Sequence, residues 1–578
     1  MAVPVLQVEA VASVVAVEAV LLVAMQVDAD NMNSEQLIVR NSMKKIFFAA
    51  LAMAVVLPAA AQDTYESARL LGGDLNGTAR YVGMGGAMEA LGADISTTSS
   101  NPAGIGLFRH STMSAGFGLV SQADAKEFDG RSTTNMSFDQ AGFVYSMRMD
   151  RSSFLNFAFN YHKSRNFNQI LSVADHAIRN ASSNAITAEK DLQGYYSLGV
   201  STDGYLLGYK SPTSSQRTLN FSQLDYLNAN VLADEVPIEE TERLSYDLVL
   251  YGMDADAYNF DRAHRGWINE FDFTLSGNSD DRFYWGVTVG IYDVKYKGYS
   301  EYTEGLRFTD GTDGGIVSYG DYRKINGTGV DMKFGIIARP VEYSPFRIGL
   351  YVNTPTWYDL TTENTTALIN QSALGSCLDG TYIEGGDIDN SYKFRFYTPW
   401  KFGLSLGHTI GKNLALGATY EFSDYGASQN RVKDGQDDWG YEDSYKDNVM
   451  KQNTEDVLKG VSTLKVGLEY KPIPELALRA GYNYISAAYA ENGVRDQTLD
   501  SYGVMYASTS DYVNWKATNR FTAGIGCKVG NMNLDASYQY STTDGDFYPF
   551  QPNIVGGVAP ASVSNKRHQV LFTLGYTF

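Results

Sequence analysis

Read back from the C-terminus, Phe578, Tyr576, Leu574, Phe572 and Val570 alternate with Thr577, Gly575, Thr573, Leu571 and Gln569. Successive side chains of a strand point to opposite faces, so this is a strand with one apolar face and one mostly polar or small face. The same alternation recurs upstream. It predicts strands over 110–122, 137–149, 152–164, 266–278, 282–297, 326–339, 346–358, 392–410, 414–426, 461–471, 475–487, 517–529, 533–543 and 566–578, an even fourteen. The connections sort by parity. One set is tight: 150–151, 277–281, 340–345, 411–413, 472–474 and 530–532. The other is long: 123–136, 165–265, 298–325, 359–391, 427–460, 488–516 and 544–565. A soluble sandwich has no reason to alternate loop length, whereas a membrane barrel does. In hydrocarbon every backbone polar group must be paired, which a closed sheet achieves. The expected fold is therefore all-β, a 14-stranded antiparallel transmembrane β-barrel, with both chain ends on the short-turn side.

The faces sharpen this expectation. On 283–291, Phe283, Trp285, Val287, Val289 and Ile291 share the side assigned to lipid, and Tyr284, Gly286, Thr288 and Gly290 the lumen side. On 392–410, read as one strand, Phe394, Phe396, Trp400, Phe402, Leu404 and Leu406 fall outward, and Lys393, Arg395, Tyr397 and Lys401 inward. A Lys or Arg facing lipid at mid-bilayer costs about 2–4 kcal/mol, so strand charges belong inside. The same parity turns Glu270, Asp272, Asp331, Lys333, Arg347 and Arg479 inward. Two prolines interrupt neighbouring strands: Pro355 in Thr354-Pro355-Thr356 and Pro399 in Thr398-Pro399-Trp400. Proline cannot donate to a ladder and a barrel has no free edge. Each therefore marks either a bulge at the membrane rim or a candidate lateral opening. In the largest loop, 165–265, helical spacing links Ile170, Val173, Ala174, Ala177 and Ile178, then Leu224, Leu227 and Val231, then Leu244, Leu248 and Tyr251.

The N-terminus reads differently. Met43-Lys44-Lys45, the apolar run 46–57 and Pro58-Ala59-Ala60-Ala61 form a secretory signal peptide over 43–61, with cleavage expected after Ala61. Residues 1–42 are Val/Ala-rich, are broken by Glu9 and Glu18, and lack a basic start. They read as an artefact of an upstream start codon, with Met43 the initiator, or as a genuine extension. Residues 62–109 form no barrel strand: a small-residue run from Ala79 to Asp94 leads to Asn101-Pro102-Ala103-Gly104. Gly83, Gly85 and Gly86 lack the strand and βαβ context of a dinucleotide loop. Small residues suit tight packing inside a lumen, so 62–109 is expected to be a hatch in a barrel of residues 110–578.

Here the sequence resembles a known family. "MGGAMEALGAD…SNPAGIGLF" is similar to the N-terminal plug of the FadL family of outer-membrane transporters for long-chain fatty acids and other hydrophobic compounds. The resemblance implies a fourteen-stranded barrel closed by this plug, with Asp94, Asn101, Pro102, Ala103 and Gly104 in gating. It implies a lateral exit at an inward kink of the third strand, where 152–164 offers neither Gly nor Pro. The aromatic C-terminus of the final strand resembles the signal read by the outer-membrane barrel assembly machinery, and lipid of that membrane would surround the wall.

Composition narrows the function classes. The net charge is −20, and it stays acidic without residues 1–61, so a nucleic-acid surface is not expected. Fifty-five glycines and forty tyrosines suit short strands with interfacial aromatics. Cys377 and Cys527 fall in a loop and a strand, so neither a disulfide framework nor a zinc site is expected. The six histidines are scattered, without a Ser/His or Asp/His signature, which argues against catalysis. The expected function is passive uptake of a hydrophobic small molecule, foremost a fatty acid, with no cofactor. Such an acid needs an apolar slot and a cation for its carboxylate, and the candidates are Arg395, Arg347, Lys393, Lys333 and Lys401. The alternatives are a haem or other amphipathic-ligand receptor using His or Tyr, and a surface adhesin that moves nothing.

Overall fold

Fourteen alternating stretches close on themselves in the computed structural model. It describes residues 62–175, 178, 181–193, 198–200, 206–208, 222–238, 245–250, 253–308, 310–372, 382–384, 390–436, 442–552 and 558–578. The extension, the signal peptide and Cys377 lie outside the described residues. The barrel strands are β1 (Thr112–Ala123), β2 (Thr134–Arg148), β3 (Phe154–Asn166), β4 (Asp254–Ser279), β5 (Phe283–Arg307) and β6 (Asp313–Ala338). Then come β7 (Arg347–Asn353 and Trp357–Ser372), β8 (Asn390–Tyr397 and Lys401–Ile410) and β9 (Leu414–Asp424, resumed at Gln429–Gln436). The last are β10 (Gly460–Ile473), β11 (Leu476–Ile485), β12 (Tyr512–Val529), β13 (Met532–Tyr548) and β14 (Ala561–Thr577). Each pairs antiparallel with its neighbours, and β14 pairs with β1 from Thr577↔Thr112 to Lys566↔Ala123, which closes the ring. The ring of fourteen therefore has no first or last strand with an open side.

The wall shows why alternation was needed. Phe572, Leu574, Tyr576, Phe402, Leu404, Leu406, Val289 and Ile291 are exposed on the outer surface. So large a continuous apolar surface marks a lipid-facing wall. Their alternating neighbours are buried in the lumen: Thr573, Leu571, Ser405, Thr288 and Tyr284. Among the described residues no helix is long and apolar enough to cross a membrane.

The parity breaks at the prolines. In β7, Tyr351 and Asn353 are buried before Pro355, and Tyr358 and Leu360 after it; the inward set passes from odd to even numbers. In β8, Phe394 and Phe396 are fully buried above Pro399, while Trp400, Phe402 and Leu404 below it are exposed. β9 does the same across a 3-10 turn at Tyr425–Ala427: Asn430 and Val432 are buried above it, Glu421 and Ser423 below. The outward assignment of Phe394 and Phe396, and the inward assignment of Lys393 and Arg395, are therefore corrected. A break of three or four residues resets the period-2 alternation, so positions on its two sides cannot be counted as one strand. Above the breaks the exterior carries Asp359, Glu363, Lys324 and Arg395, which places this part beyond the hydrocarbon.

At the breaks threonines replace the lost ladder bonds. The Met332 amide donates to Thr354 Oγ1 at 3.0 Å, and the Thr356 amide to Thr398 Oγ1 at 2.7 Å. The Thr398 amide donates to the Thr356 carbonyl at 3.2 Å. Thr398→Val orphans the Thr356 amide and is expected to cost about 1 kcal/mol in urea unfolding from micelles.

Beyond the membrane the walls rise further than alternation alone indicated, because β4, β5 and β6 are each 25 or 26 residues long. In the large outer connection, Gln169–Asp175 and Ser245–Leu250 are strands, not the helices their spacing predicted. Gln169–Asp175 pairs with the upper part of β4, which offered an edge that overrode local periodicity. The helix expected around Leu224 and Leu227 is present at Gln223–Leu232. With Ser183–Leu192 it packs Ile186, Leu224 and Leu227 onto Tyr302, Val317 and Tyr319, which forms an apolar cap on the rim.

Candidate functional site

Residues 62–109 lie inside the barrel, and two rows of glycine explain how the backbone fits. Gly407, Gly417, Gly467 and Gly481 are consecutive cross-strand partners on β8, β9, β10 and β11. A Cβ on Gly417 would sit 1.9 Å from the Ala87 carbonyl oxygen, and one on Gly467 2.1 Å from that of Met84. Segment 84–91 thus lies directly on bare wall. A second seat forms at the partners Gly286 and Gly335, where a Cβ would meet Pro102 and Asn101. Asn101 caps the turn that follows through Ala103 N–H at 3.2 Å, and Asp94 caps Ser96 N–H at 3.0 Å. Thr78 donates to Asp94, and the Ala93 amide to the Gly104 carbonyl, which ties the turn back to the earlier run.

Ion pairs fix this segment to the wall. Arg80 donates to Glu469 at 3.0 Å, and Lys465 to Glu89 at 2.8 Å. Arg347 donates to the Leu91 carbonyl at 3.0 Å. The segment begins at the long-loop end: Asp63 meets Arg495, Glu66 meets Arg323, and Thr64 meets Asn453 and Thr454. Burial alone would raise the Asp63 carboxyl; the Arg495 guanidinium more than offsets this and holds it below the ordinary range. Entry from the short-turn side is thus corrected for the first described residues. The chain runs down the lumen from the outer end and reaches the short-turn end just before β1.

The lumen beside the segment holds a cavity of about 400 Å³, which residues 65–76 help to line. Eight of its lining side chains are Lys or Arg and five are Asp or Glu. Lys401 lines it, because it falls below Pro399 and faces inward. Arg69, Arg165, Arg520 and Arg567 line it too. Parity on the last strand places Arg567 in phase with Gln569 and Leu571, so the sequence carried that signal. Arg165 and Arg69 lie outside the strands as read, and only the fold brings them in.

The other candidate cations have other settings. Lys333 is enclosed by Glu270 at 2.8 Å, Asp272 at 3.1 Å and Asp331 at 2.8 Å. His162 completes the cluster, 3.3 Å from Glu270. His162, Glu270 and Asp272 bring ligand atoms within 4.8 Å of one another, but the Lys333 ammonium already pairs with both carboxylates. Arg395 lies on the outer face beside Asp359 at 3.4 Å, with Lys393 exposed nearby.

Pairing in the wall is incomplete between β2 and β3. Pairing of β2 with β3 stops at Gln140↔His162, and among the described residues Thr134–Asp139 have no partner on the β3 side. β3 shifts register between Lys163 and Arg165 against β4. The extra residue is Ser164 of β3, since Lys163 and Arg165 pair with the adjacent Asn269 and Ile268; just above it Gly266 of β4 has φ of +116°, and its carbonyl accepts from Phe167 N–H at 3.0 Å. Segment 62–109 reaches into this gap. Asp74 N–H donates to the Ser164 carbonyl at 2.8 Å, and Asn76 donates to Asp139 at 3.0 Å and to the Lys163 carbonyl at 2.9 Å. A second pocket of about 580 Å³ lies against the gap. It shares Val120, Asn166, Asn168, Gln169, His264 and Arg567 with the lumen cavity, so the two adjoin.

No protein-family model and no curated protein matches the sequence. Solved structures do. The Ralstonia pickettii toluene transporter TbuX is 14% identical with a TM-score of 0.44, and the match covers 87% of this chain and 99% of that one. A Pseudomonas aeruginosa FadL homologue is 12% identical with a TM-score of 0.46, over 88% and 99% of the two chains. The Pseudomonas putida toluene transporter TodX is 13% identical with a TM-score of 0.43, over 87% and 99%. The chain is similar to a FadL homologue and to two toluene transporters.

Proposed function

We propose that this chain is an outer-membrane channel for passive uptake of hydrophobic small molecules, long-chain fatty acids foremost, with residues 62–109 as its gating hatch. The observation that carries the reading is the continuity of the lumen cavity with the gap between β2 and β3. A hydrophobic molecule that leaves sideways into lipid avoids crossing water below the barrel. The excess of cations around the cavity supports an amphipathic acid over a plain hydrocarbon, which needs no counter-charge. Lys401 is the surviving candidate for the carboxylate among the five sequence-derived cations. Lys333 is saturated by acids, Arg347 holds the hatch, and Arg395 and Lys393 face outward.

Gating in this reading is movement of the hatch around Asp94 and the Asn101-Pro102-Ala103-Gly104 turn. The exit lies at the gap and not at Pro355 and Pro399, whose neighbouring amides are bridged by threonines. The channel carries out no reaction and needs no cofactor. Its wall contacts outer-membrane lipid, and its terminal strand engages the assembly machinery.

The test is uptake of oleate by cells lacking other long-chain fatty-acid transporters. The protein should raise uptake. A bis-maleimide bridge between Ser137→Cys and Lys163→Cys, with Cys377 and Cys527 changed to serine, should abolish that gain. Lys163 donates to Ser137 across the gap, so the two positions are within reach of a short linker. No gain with the unbridged protein would end the channel reading. Gain that survives the bridge would move the exit elsewhere.

A further inference from the structure

The pocket at the gap is lined by six cations, Arg131, Lys163, Arg265, Lys295, Lys297 and Arg567, and among the described residues no carboxylate lines it. In a chain of net charge −20 this is a local reversal of sign. Of the nearby acids, Asp139 and Asp74 face Lys163 from beyond salt-bridge distance. Asp129 pairs with Arg131 at 3.1 Å, Asp293 lies 3.7 Å from Lys295, and Asp74 lies 3.9 Å from Arg567. Among the described residues Lys163, Arg265 and Lys297 have no carboxylate within 4.0 Å. Arg265 and Lys297 are also direct cross-strand partners on β4 and β5. Like charges placed opposite each other destabilise a sheet pair. A site that keeps such a pair unrelieved beside a cavity is arranged for an anion from outside the chain.

The position identifies the anion. On the outer face of β4, the lipid-facing run Leu275, Phe273 and Phe271 is followed upward by Asn269, Trp267 and Arg265. On β5 the run is Val289, Ile291, Asp293, Lys295 and Lys297. The pocket therefore begins where acyl chains give way to headgroups. Trp267 stands at that boundary with Lys295 Nζ 5.8 Å from its ring, and Met136 is 82% exposed at the pocket edge. Below them Phe138 stacks on Tyr161 on the outer face, at 5.4 Å between centroids, a surface for an acyl chain. A single carboxylate would leave most of these cations unmatched. A phosphomonoester carries nearly two charges and three acceptor oxygens.

We propose that this pocket binds the phosphorylated headgroup of an outer-leaflet lipid, its chains lying on the wall below Met136 and Trp267. The lipid is then a resident of the gap's outer rim, and its phosphate neutralises the Arg265–Lys297 pair. This does not depend on which molecule the lumen carries.

The experiment is native mass spectrometry of the full chain in mild detergent. The probes are bis-phosphorylated lipid A, its dephosphorylated counterpart, oleate and inorganic phosphate. The phosphorylated lipid should bind one to one. Arg265→Gln with Lys297→Gln should weaken it about tenfold or more. Lys324→Gln, which removes a nearby charge already paired with Glu363 at 2.9 Å, should leave binding unchanged. Heat-modifiable gel mobility confirms that each variant is folded. Equal binding of the dephosphorylated lipid would overturn the proposal, as would full retention by the double variant, or a loss of oleate in the double variant as large as the loss of the phosphorylated lipid. Displacement of the lipid by millimolar inorganic phosphate would assign the pocket to the free ion and also overturn it.

Discussion

Lys333→Met is expected to destabilise the barrel by about 3–5 kcal/mol, read as a lower urea midpoint in micelles. Lys333 Nζ is the shared partner of Glu270, Asp272 and Asp331, and all four side chains are buried. Remove the ammonium and three carboxylates face one another in a site that excludes water. Methionine fills the volume, so the loss reads charge and not a cavity. His162 beside Glu270 offers partial compensation if it takes up a proton. Adding Asp272→Asn and Asp331→Asn to Lys333→Met should therefore recover much of the loss, because it removes two of the stranded charges. A single variant as stable as the parent would mean that the cluster is hydrated and that the lumen there is open.

That cluster also shows what the sequence made legible. Glu270, Asp272, Asp331 and Lys333 all turn inward by simple alternation, because β4, β5 and β6 cross the membrane without interruption. Loop parity sufficed for strand number and order, since a hairpin barrel has no other way to alternate its connections. Two kinds of information were hidden. Alternation carries phase only as far as the strand is continuous, so Pro399 inverted the reading of Lys393, Arg395, Phe394 and Phe396. Candidate carboxylate partners were thus drawn from the outer face. The gap was hidden for a different reason. Its strand, β3, holds no Gly or Pro: the extra residue of its bulge is Ser164, which breaks no local rule, and the residue with a positive φ, Gly266, lies on the neighbour at a sequence distance no local window spans. The upper strands were lost because their exteriors are polar, as at Asp359 and Glu363, so they read as loop once they left the membrane.

Gly467→Val should open the lumen, read as a higher single-channel conductance in planar bilayers and as new protease cleavage within 84–91. Gly467 faces inward on β10 between Gly417 and Gly481, and a Cβ there would approach the Met84 carbonyl oxygen to 2.1 Å. The obstructing atom is backbone, so no side-chain rotation relieves the clash. Valine adds two further methyl groups. Overpacking of this kind costs about 1–3 kcal/mol. The barrel ladder is indifferent to the change, since valine suits a strand. The strain falls on the docking of 84–91 alone, which is otherwise held by the Arg80–Glu469 and Lys465–Glu89 pairs. Gly286→Val gives an independent second case, because its Cβ would meet Pro102 at 2.4 Å across the other seat. If both variants conduct like the parent while 84–91 stays protected, segment 62–109 is a fixed part of the wall and cannot be the gate. If only one of them leaks, that seat bears the closing contact, and the other end of the segment stays anchored while the lumen opens.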